Sequence, residues 1–574
     1  MIPVPQGNKR EIVAFANDLI EQCRVSVGMR AAYYRVMNSI AETGRYDGTK
    51  SLINLMYTHL CRTAANLYSP IELQFALDFE RPRTKGDVER GHAVAKTLTR
   101  TWERNGTDEN FGNGVFEALK YGAAIIKQWT QTEGKDEHPV YYDKLVMPWN
   151  FGVYREDENR LDRQEAMCET IMLTLPEVWG RIYHLPKAEK LFEEIKLHAK
   201  RGEATAEPSS FFHQVLSTSQ INTGVQGMTR PLPGGIVQLN SDPNYALMGP
   251  VVGADVVQMH ELWVKDETDW TTIQIVEPDV LVAPLFKKAN LLGVEREQPY
   301  RLIQPNKVTN WFWGRSELVD LVEPQALLSS WADDTKRLWG LQVDKLLGFV
   351  GETNMTDELY AQFRMAGWAN LGQGADVKDL TPKIPAEGLP MLKFCIEIIN
   401  MIGQFPELLQ GKGEQGVRAG VHASTLLKTG AITLLDRSLR VERQCAGAAD
   451  LTLQMMEAKD PEHYWTKGDT PATIEASKFL LTDLPADWRV TVNEHSSSPV
   501  FADAQAQLIF QAAKLGYVTG EYVLDNMPFP NKEMAKAQLK EKELKQAEFM
   551  QKMLKEHPEA GEKLLAKQLG GGRR

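Results

Sequence analysis

The chain has 574 residues, of which 43% are hydrophobic and 25% charged, and this length and composition are typical of a globular protein with several domains. Its formal net charge of −11 argues against a conventional nucleic-acid-binding protein, which normally carries a basic excess. No apolar run approaches the ~20 residues that a transmembrane helix requires, and the first residues lack the basic and apolar regions of a signal peptide.

The first 310 residues alternate between helical and strand-like patterns. Thr174, Pro176 and Glu177 form a helix start, with a capping box and a proline in the first turn. Residues 202–253 are rich in proline and glycine and predict a long loop or an extended arm. Apolar spacing predicts three helices within 9–68, helices at about 87–104 and 112–121, and strands at 71–77, 123–129, 142–146, 256–265, 271–276 and 280–284. Together these elements predict an α+β domain over residues 1–310.

A helix is predicted to open the central part of the chain. Ser316 is a suitable N-cap, and Glu317 and Asp320 place acidic groups in the first turn, where the helix dipole favours them. Leucine and tryptophan side chains continue at near-helical spacing to Gln342. Pro324 is expected to kink this helix or to restart it.

The remaining elements are mostly helical. An irregular insert at 343–388, with one short helix at 356–366, precedes a second helix at 391–409. Glycine recurs through residues 410–420, which predicts an irregular loop, and a third helix then runs from about Ser424 to Met456. A short strand at 488–492 is followed by predicted helices at 502–515 and at about 531–556.

This order of elements resembles that of the portal proteins of tailed bacteriophages, and it is most similar to the portals of short-tailed phages. The resemblance implies an α+β, portal-type ring subunit with a wing, a helical stem, a small clip and a helical C-terminal crown. The parts would be a wing at 1–310, a first stem helix at 311–342, a clip insert at 343–388, a second stem helix at 389–409, a channel loop at 410–423, a long wing helix with its following segment at 424–487, and a crown at 488–574.

The resemblance also implies a function and a set of partners. The chain would form a homododecameric ring at one capsid vertex, the head–tail connector through which double-stranded DNA is packaged and ejected. It would contact the terminase large subunit, tail adaptor proteins, and the major capsid and scaffolding proteins. It would be a virion protein assembled in the bacterial host cytoplasm, without membrane insertion and without a cofactor.

The glycine-rich loop matches the pattern GxGxxG over Gly411–Gly416. A dinucleotide site requires a strand before this pattern and a helix directly after it, whereas here a helix precedes it. A flexible connection between two helices is the simplest interpretation. The resemblance implies a DNA-channel loop containing Gly411, Lys412, Gly413, Gly416, Arg418 and Gly420, with Lys412 and Arg418 facing the phosphates.

Charged residues recur on two of the predicted helices. Arg437, Arg440 and Arg443 follow at steps of three and therefore share a helix face. They form either a solvated face paired with neighbours such as Asp436 and Glu442, or a DNA-facing basic track. A second group, Asp333, Asp334, Lys336 and Arg337, would serve as an exposed face, as pairs between subunits or as a channel wall.

No catalytic or metal-binding pattern emerges from the sequence. The histidines lack HExxH spacing, His495-Ser496 lacks a GxSxG context, and no GxxxxGK[ST] occurs. The 5 cysteines are odd in number and without metal spacing, which predicts reduced thiols in a cytosolic protein. We therefore expect no enzyme, no metal and no cofactor. The alternatives are another virion structural protein, from a tail or baseplate, and a nucleotide-binding enzyme that uses the Gly411 loop.

Overall fold

Helices and strands alternate along the chain in a computed structural model. It describes residues 2–545 apart from 6–7, 47–49, 70–72, 82–83, 133–138, 202–254, 267–268, 277–278, 284–289, 344–346, 351–355, 357, 359–375, 381–387, 404–419, 468–474, 486, 493–508, 519, 521–522, 525–537, 540 and 543. Helix and strand are both well represented among these residues, so the chain belongs to the α+β class.

Seven helices lie in the described part of residues 2–201. They are α1 (Lys9–Arg24), α2 (Val27–Thr43), α3 (Met56–Leu67), α4 (Lys85–Arg104), α5 (Thr107–Tyr121), α6 (Leu175–Ile182) and α7 (Ala188–Lys196). The prediction of three helices within residues 9–68 is thus confirmed. The capping box that begins α6 is also confirmed, because the Thr174 amide donates to Glu177 Oε2 at 2.8 Å and the Glu177 amide donates to Thr174 Oγ1 at 3.5 Å.

Ten strands lie in the described residues up to 310. They are β1 (Phe75–Phe79), β2 (Ala124–Thr132), β3 (Pro139–Val146), β4 (Phe151–Val153), β5 (Ala166–Thr174), β6 (Lys200–Arg201), β7 (Asp255–Lys265), β8 (Trp270–Val276), β9 (Val280–Ala283) and β10 (Tyr300–Ile303). The strand predicted at 71–77 is observed at Phe75–Phe79, because the alternating pattern continues through Phe79.

The larger sheet has the strand order β4-β5-β7-β8-β9, and β6 also pairs with β7. All its pairings are antiparallel, so alternate residues of each strand point to opposite faces. Leu262 and Val264 of β7 pack against α1, whereas Trp263 between them packs edge-on against Tyr300 of β10. β10 belongs to a second sheet of order β10-β2-β3, so a core of large apolar side chains joins the two sheets.

Three longer helices follow the sheets. They are α8 (Val322–Val343), α9 (Gly388–Ile402) and α10 (Gly420–Lys459), and α10 is the longest helix in the described part of the chain. A two-stranded antiparallel ribbon of β11 (Leu347–Val350) and β12 (Asp376–Asp379) lies between α8 and α9. Helices α8 and α9 pack against each other, as the repeated apolar residues on both helices predict.

The prediction that Ser316 is the N-cap of α8 is wrong. Ser316 Oγ accepts a hydrogen bond from the Leu318 amide at 3.1 Å and caps only a turn, which leads into a 3-10 turn at Val319–Leu321. The α-helix then begins at Val322, which places Pro324 in its first turn. Proline lacks an amide hydrogen and is tolerated there but not farther inside a helix, so Pro324 restarts the helix as the sequence suggested.

The largest core cluster joins α2–α5 to the three long helices. Leu434, Val441 and Cys445 of α10 are buried in it together with Leu318 and Leu328 from the α8 region. Three further strands follow α10, namely β13 (Glu462–Lys467), β14 (Glu475–Leu480) and β15 (Trp488–Val492). β15 lies in the segment that the resemblance assigns to the crown, and it pairs antiparallel with β1 of the first 310 residues.

Several predicted elements fall outside the described residues. These are the 202–253 arm, most of the short helix predicted at 356–366, the 404–409 end of the second helix, and most of the last helix at 531–556. The helix predicted at 502–515 is described only from residue 509, where it is helical to residue 514. The third predicted helix extends beyond its expected bounds of Ser424 and Met456 to Gly420–Lys459.

Candidate functional site

The predicted DNA-channel loop connects α9 to α10. Gly411, Lys412, Gly413, Gly416 and Arg418 lie outside the described residues, and Gly420 is the first residue of α10. α9 ends at Ile402, so the connection between the two helices spans residues 403–419. Along the chain, the predicted loop therefore follows α9 and leads into α10.

The predicted basic track lies on α10, and its three arginines have different surroundings. Arg437 Nη1 donates to both carboxylate oxygens of Glu317 at 2.9 Å. Arg440 forms an ion pair with Asp436, one helical turn away, which is one of the neighbouring pairs that the sequence suggested. Arg443 is exposed and makes no ion pair with another described residue. Two of the three guanidinium groups thus have carboxylate partners within the same chain.

Glu317 is the centre of a partly buried polar cluster that sequence reasoning missed. Besides Arg437 it accepts a hydrogen bond from Asn306 Nδ2 at 2.7 Å, and His59 Nε2 lies 3.5 Å from its Oε1. Burial would raise the pKa of this carboxyl group, but its contacts with His59, Arg437 and Asn306 outweigh burial and lower the pKa to about 2. The pair Arg437–Glu317 is separated by 120 residues, so no local pattern could have found it.

The same cluster contacts the end of α9. A Cβ atom on Gly403 would lie 2.6 Å from His59 Cε1 and 3.0 Å from the Ile399 carbonyl oxygen. Only glycine fits such a close approach without displacing the imidazole ring. The last turn before the predicted channel loop is therefore packed directly against α3, beside the ion pair that holds α10.

The entry to α8 depends on a second close backbone approach. Gly314 has a φ of +65°, and a Cβ atom there would lie 2.5 Å from the Gly122 carbonyl oxygen. Gly122 has a φ of +104°, and a Cβ atom there would lie 2.6 Å from the Trp313 carbonyl oxygen. The two glycines let the α5–β2 connection and the segment before α8 pass at backbone contact distance.

The packed pair α8–α9 exposes large apolar side chains. Trp339 on α8 is 57% exposed, and on α9 Phe394 is 50% and Met401 73% exposed. An isolated exposed apolar residue is ordinary, whereas these three large ones lie on two adjacent helices.

Charged side chains accompany this apolar surface on the second half of α8. Asp333 pairs with Arg45 at the end of α2. Asp334, Lys336 and Arg337 are exposed and make no ion pair with another described residue. Both signs of charge are therefore available on one helix for contacts with another molecule.

A buried charge cluster joins the two sheets. Lys127 Nζ donates to Glu169 Oε2 at 2.7 Å and to Glu261 Oε1 at 2.6 Å, and Tyr300 Oη donates to Glu169 at 3.0 Å. Burial would lower the pKa of Lys127, but the two carboxylates outweigh it and raise that pKa. Burial would likewise raise the pKa of Glu261, whereas Lys127 and Trp263 lower it to about 2. Lys127 and Glu261 are thus both charged at neutral pH, and the cluster is a structural link between the sheets.

A buried cysteine and histidine also lie near each other. Cys168 Sγ is 4.0 Å from His260 Nδ1. Burial raises the pKa of Cys168 to about 12 and lowers the pKa of His260 to about 3. The thiol stays protonated and the imidazole neutral at pH 7, so this contact does not supply a thiolate nucleophile.

Within the described part of the chain, no group of three or more histidine, cysteine, aspartate or glutamate side chains is arranged to hold a metal ion. None of the helices in that part is both long and apolar enough to cross a bilayer.

Comparison with known proteins does not identify a family. No protein-family model matches the chain. No curated protein matches it either.

Proposed function

We propose that the chain is a portal subunit of a tailed bacteriophage. Twelve copies would form a ring at one capsid vertex, through which double-stranded DNA is packaged and later ejected. The role is mechanical and electrostatic, and it uses no catalytic residue, metal or cofactor of the subunit itself. The ring would be part of the virion after assembly in the host cytoplasm.

The observation that carries the proposal is the order of elements before, within and after the helix pair α8–α9. An α+β region precedes the pair, the β11–β12 ribbon interrupts it, and a glycine-rich connection and the 40-residue helix α10 follow it. This is the order of wing, stem, clip, stem, channel loop and long wing helix that the resemblance implies. The ribbon supports assigning residues 343–388 to a clip. An insert that projects from a helix pair must satisfy its own backbone hydrogen bonds, and the pairing of β11 with β12 does so where the insert begins and ends.

The exposed surface of the pair supports assembly into a ring. Trp339, Phe394 and Met401 leave apolar area uncovered in the single subunit, and burying it against another copy would be favourable. Asp334 on α8 and the basic residues Lys336 and Arg337 supply opposite charges for the same contact. A contact between two different surfaces of the same protein gives a ring when the rotation closes.

The channel loop gives the proposal its mechanism. Lys412 and Arg418 would each be repeated around the ring and would form circles of positive charge near the DNA phosphates. Each contact is weak and screened by salt, so DNA can slide while the symmetric set retains it. The His59–Gly403 contact and the Glu317–Arg437 pair support this mechanism, because they hold the helices that flank the loop.

The remaining assignments follow from the same proposal. The clip would bind the terminase large subunit during packaging and tail adaptor proteins afterwards. The wing and crown would contact the major capsid and scaffolding proteins. The net charge of −11 suits a conduit, because strong phosphate binding along the whole wall would stop DNA from moving.

The experiment that tests this function replaces Arg418 with alanine in portals built into procapsids. We expect rings to form normally and the amount of packaged or retained DNA to fall, with a weaker dependence on salt. The matched control is Arg163→Ala, because Arg163 is an exposed arginine in the α+β region. Equal packaging and retention by wild type and Arg418→Ala across a range of salt would contradict a DNA-contacting role for the loop.

A further inference from the structure

A surface groove runs between α10 and β15. Its volume is about 390 Å³, and all five residues of β15, Trp488–Val492, line one wall. Successive residues of a strand point to opposite faces, so a groove that touches all of them follows the edge of the strand. Ala446 and Gly447 of α10 lie on the opposite wall, and a Cβ atom on Gly447 would meet nothing within 4 Å. The small residues on the helix therefore leave open space beside the strand edge.

Among the described residues, no strand lies beside the edge of β15 that faces this groove. β15 pairs with β1 in the register Phe75↔Val492 to Phe79↔Trp488, and no other described strand pairs with it. No backbone hydrogen bond joins its outer edge to another described residue. An unpaired strand edge offers a row of amide and carbonyl groups, which is the template that an added strand uses.

The charges around the groove indicate the kind of segment that fits. Arg443 and Arg489 line it, both are exposed, and neither makes an ion pair with another described residue. The acidic residues of the lining are Glu442, which is buried, and Asp450, which accepts a hydrogen bond from Gln454 at 2.9 Å. The charged side chains of the lining that are exposed are therefore both basic.

We propose that this groove binds an extended acidic polypeptide segment, which adds to β15 as a third strand and places acidic side chains beside Arg443 and Arg489. Backbone hydrogen bonds would supply affinity, and the two guanidinium groups would select for negative charge. Duplex DNA is the less suitable occupant, because a strand edge in a narrow groove matches an extended chain rather than a double helix. The proposal does not depend on the portal function.

The test measures binding of a fluorescein-labelled synthetic nonapeptide with alternating glutamate and valine to the full chain. Two further peptides serve as controls, one with lysine in place of glutamate and one with alternate backbone amides methylated. Gly447→Leu fills the groove, and it should preserve α10 because leucine is the better helix former. Gly180→Leu is the matched variant, because Gly180 lies in α6 and a Cβ atom there also meets nothing within 4 Å.

The expected result is saturable binding of the acidic peptide to wild type and to Gly180→Leu. Gly447→Leu and Arg443→Glu should each weaken it by about tenfold or more, and both control peptides should bind at least as poorly. The proposal is overturned if wild type does not bind the acidic peptide, if the lysine or methylated peptide binds equally well, or if Gly447→Leu binds as wild type does. It is also overturned if short duplex DNA binds and Gly447→Leu abolishes that binding.

Discussion

At the scale of single residues, Glu317 connects three parts of the chain. Its carboxylate binds Arg437 of α10 through two contacts of 2.9 Å and lies 3.5 Å from His59 of α3, while its own backbone amide donates to the Leu119 carbonyl oxygen of α5 at 2.8 Å. A largely buried pair of this kind is costly to break, because the remaining charge stays mostly desolvated.

We predict that Glu317→Gln lowers the free energy of unfolding at pH 7 by about 3 kcal/mol. The folded-state pKa of about 2 lies below the ordinary value of 4.5, so this stabilisation is complete above pH 4.5 and is lost as the pH falls toward 2. The variant and wild type should therefore converge in stability at low pH, as measured by chemical denaturation at several pH values.

The control for this prediction is Asp157→Asn. Asp157 also pairs with an arginine, Arg155, but the pair is exposed to solvent. Loss of this exposed ion pair should leave the denaturation midpoint nearly unchanged. If Glu317→Gln has no larger effect than this control at pH 7, the Glu317 cluster does not stabilise the fold.

At the scale of elements, the position of α8 depends on the backbone contact between Gly122 and Gly314. We predict that Gly314→Ala destabilises the protein by more than about 2 kcal/mol, because alanine is strained at positive φ and its Cβ atom would collide with a carbonyl group. Thermal and chemical denaturation would measure the loss. Gly180→Ala, in the open position on α6, should instead raise stability by about 0.5–1 kcal/mol. If Gly314→Ala leaves the free energy of unfolding unchanged, the contact between Gly122 and Gly314 does not determine the position of α8.

The exposed side chains of the α8–α9 pair lead to a separate prediction. The double variant Trp339→Ser and Met401→Ser should fold normally but assemble poorly, because it removes apolar area from the proposed contact between subunits. Sedimentation velocity over a range of concentrations would detect the shift toward monomer. Leu197→Ser is the control, since Leu197 is 83% exposed at the end of α7, away from this pair. If the double variant assembles as wild type does, α8 and α9 do not form the contact between subunits.

The sequence predicts elements better than it predicts the contacts between them. The capping box at Thr174 and the restart at Pro324 depend on neighbouring residues, so local patterns were sufficient. The helix start predicted at Ser316 was wrong, because the close approach of Gly314 to Gly122 just before it belongs to the tertiary structure. The Glu317–Arg437 pair likewise depends on the tertiary structure. The spacing of Arg437, Arg440 and Arg443 on one helix therefore could not reveal that Arg437 is paired with Glu317.

At the scale of the whole molecule, the subunit has features that a larger assembly would complete. Apolar and charged side chains on α8 and α9 remain uncovered among the described residues, whereas the sheets and α2–α5 have well-packed cores. A portal ring accounts for this difference, because the stem helices would be the part of each subunit that meets its neighbours. The α+β class itself does not require a ring, so assembly is the property that separates the proposed function from its alternatives.

The most direct test of the portal proposal is imaging of the purified chain by single-particle electron microscopy. We predict closed rings of uniform rotational symmetry, with a central channel wide enough for duplex DNA and with α8 and α9 at the contacts between subunits. A population that remains monomeric at high protein concentration, or that assembles without a central channel, would contradict the proposal.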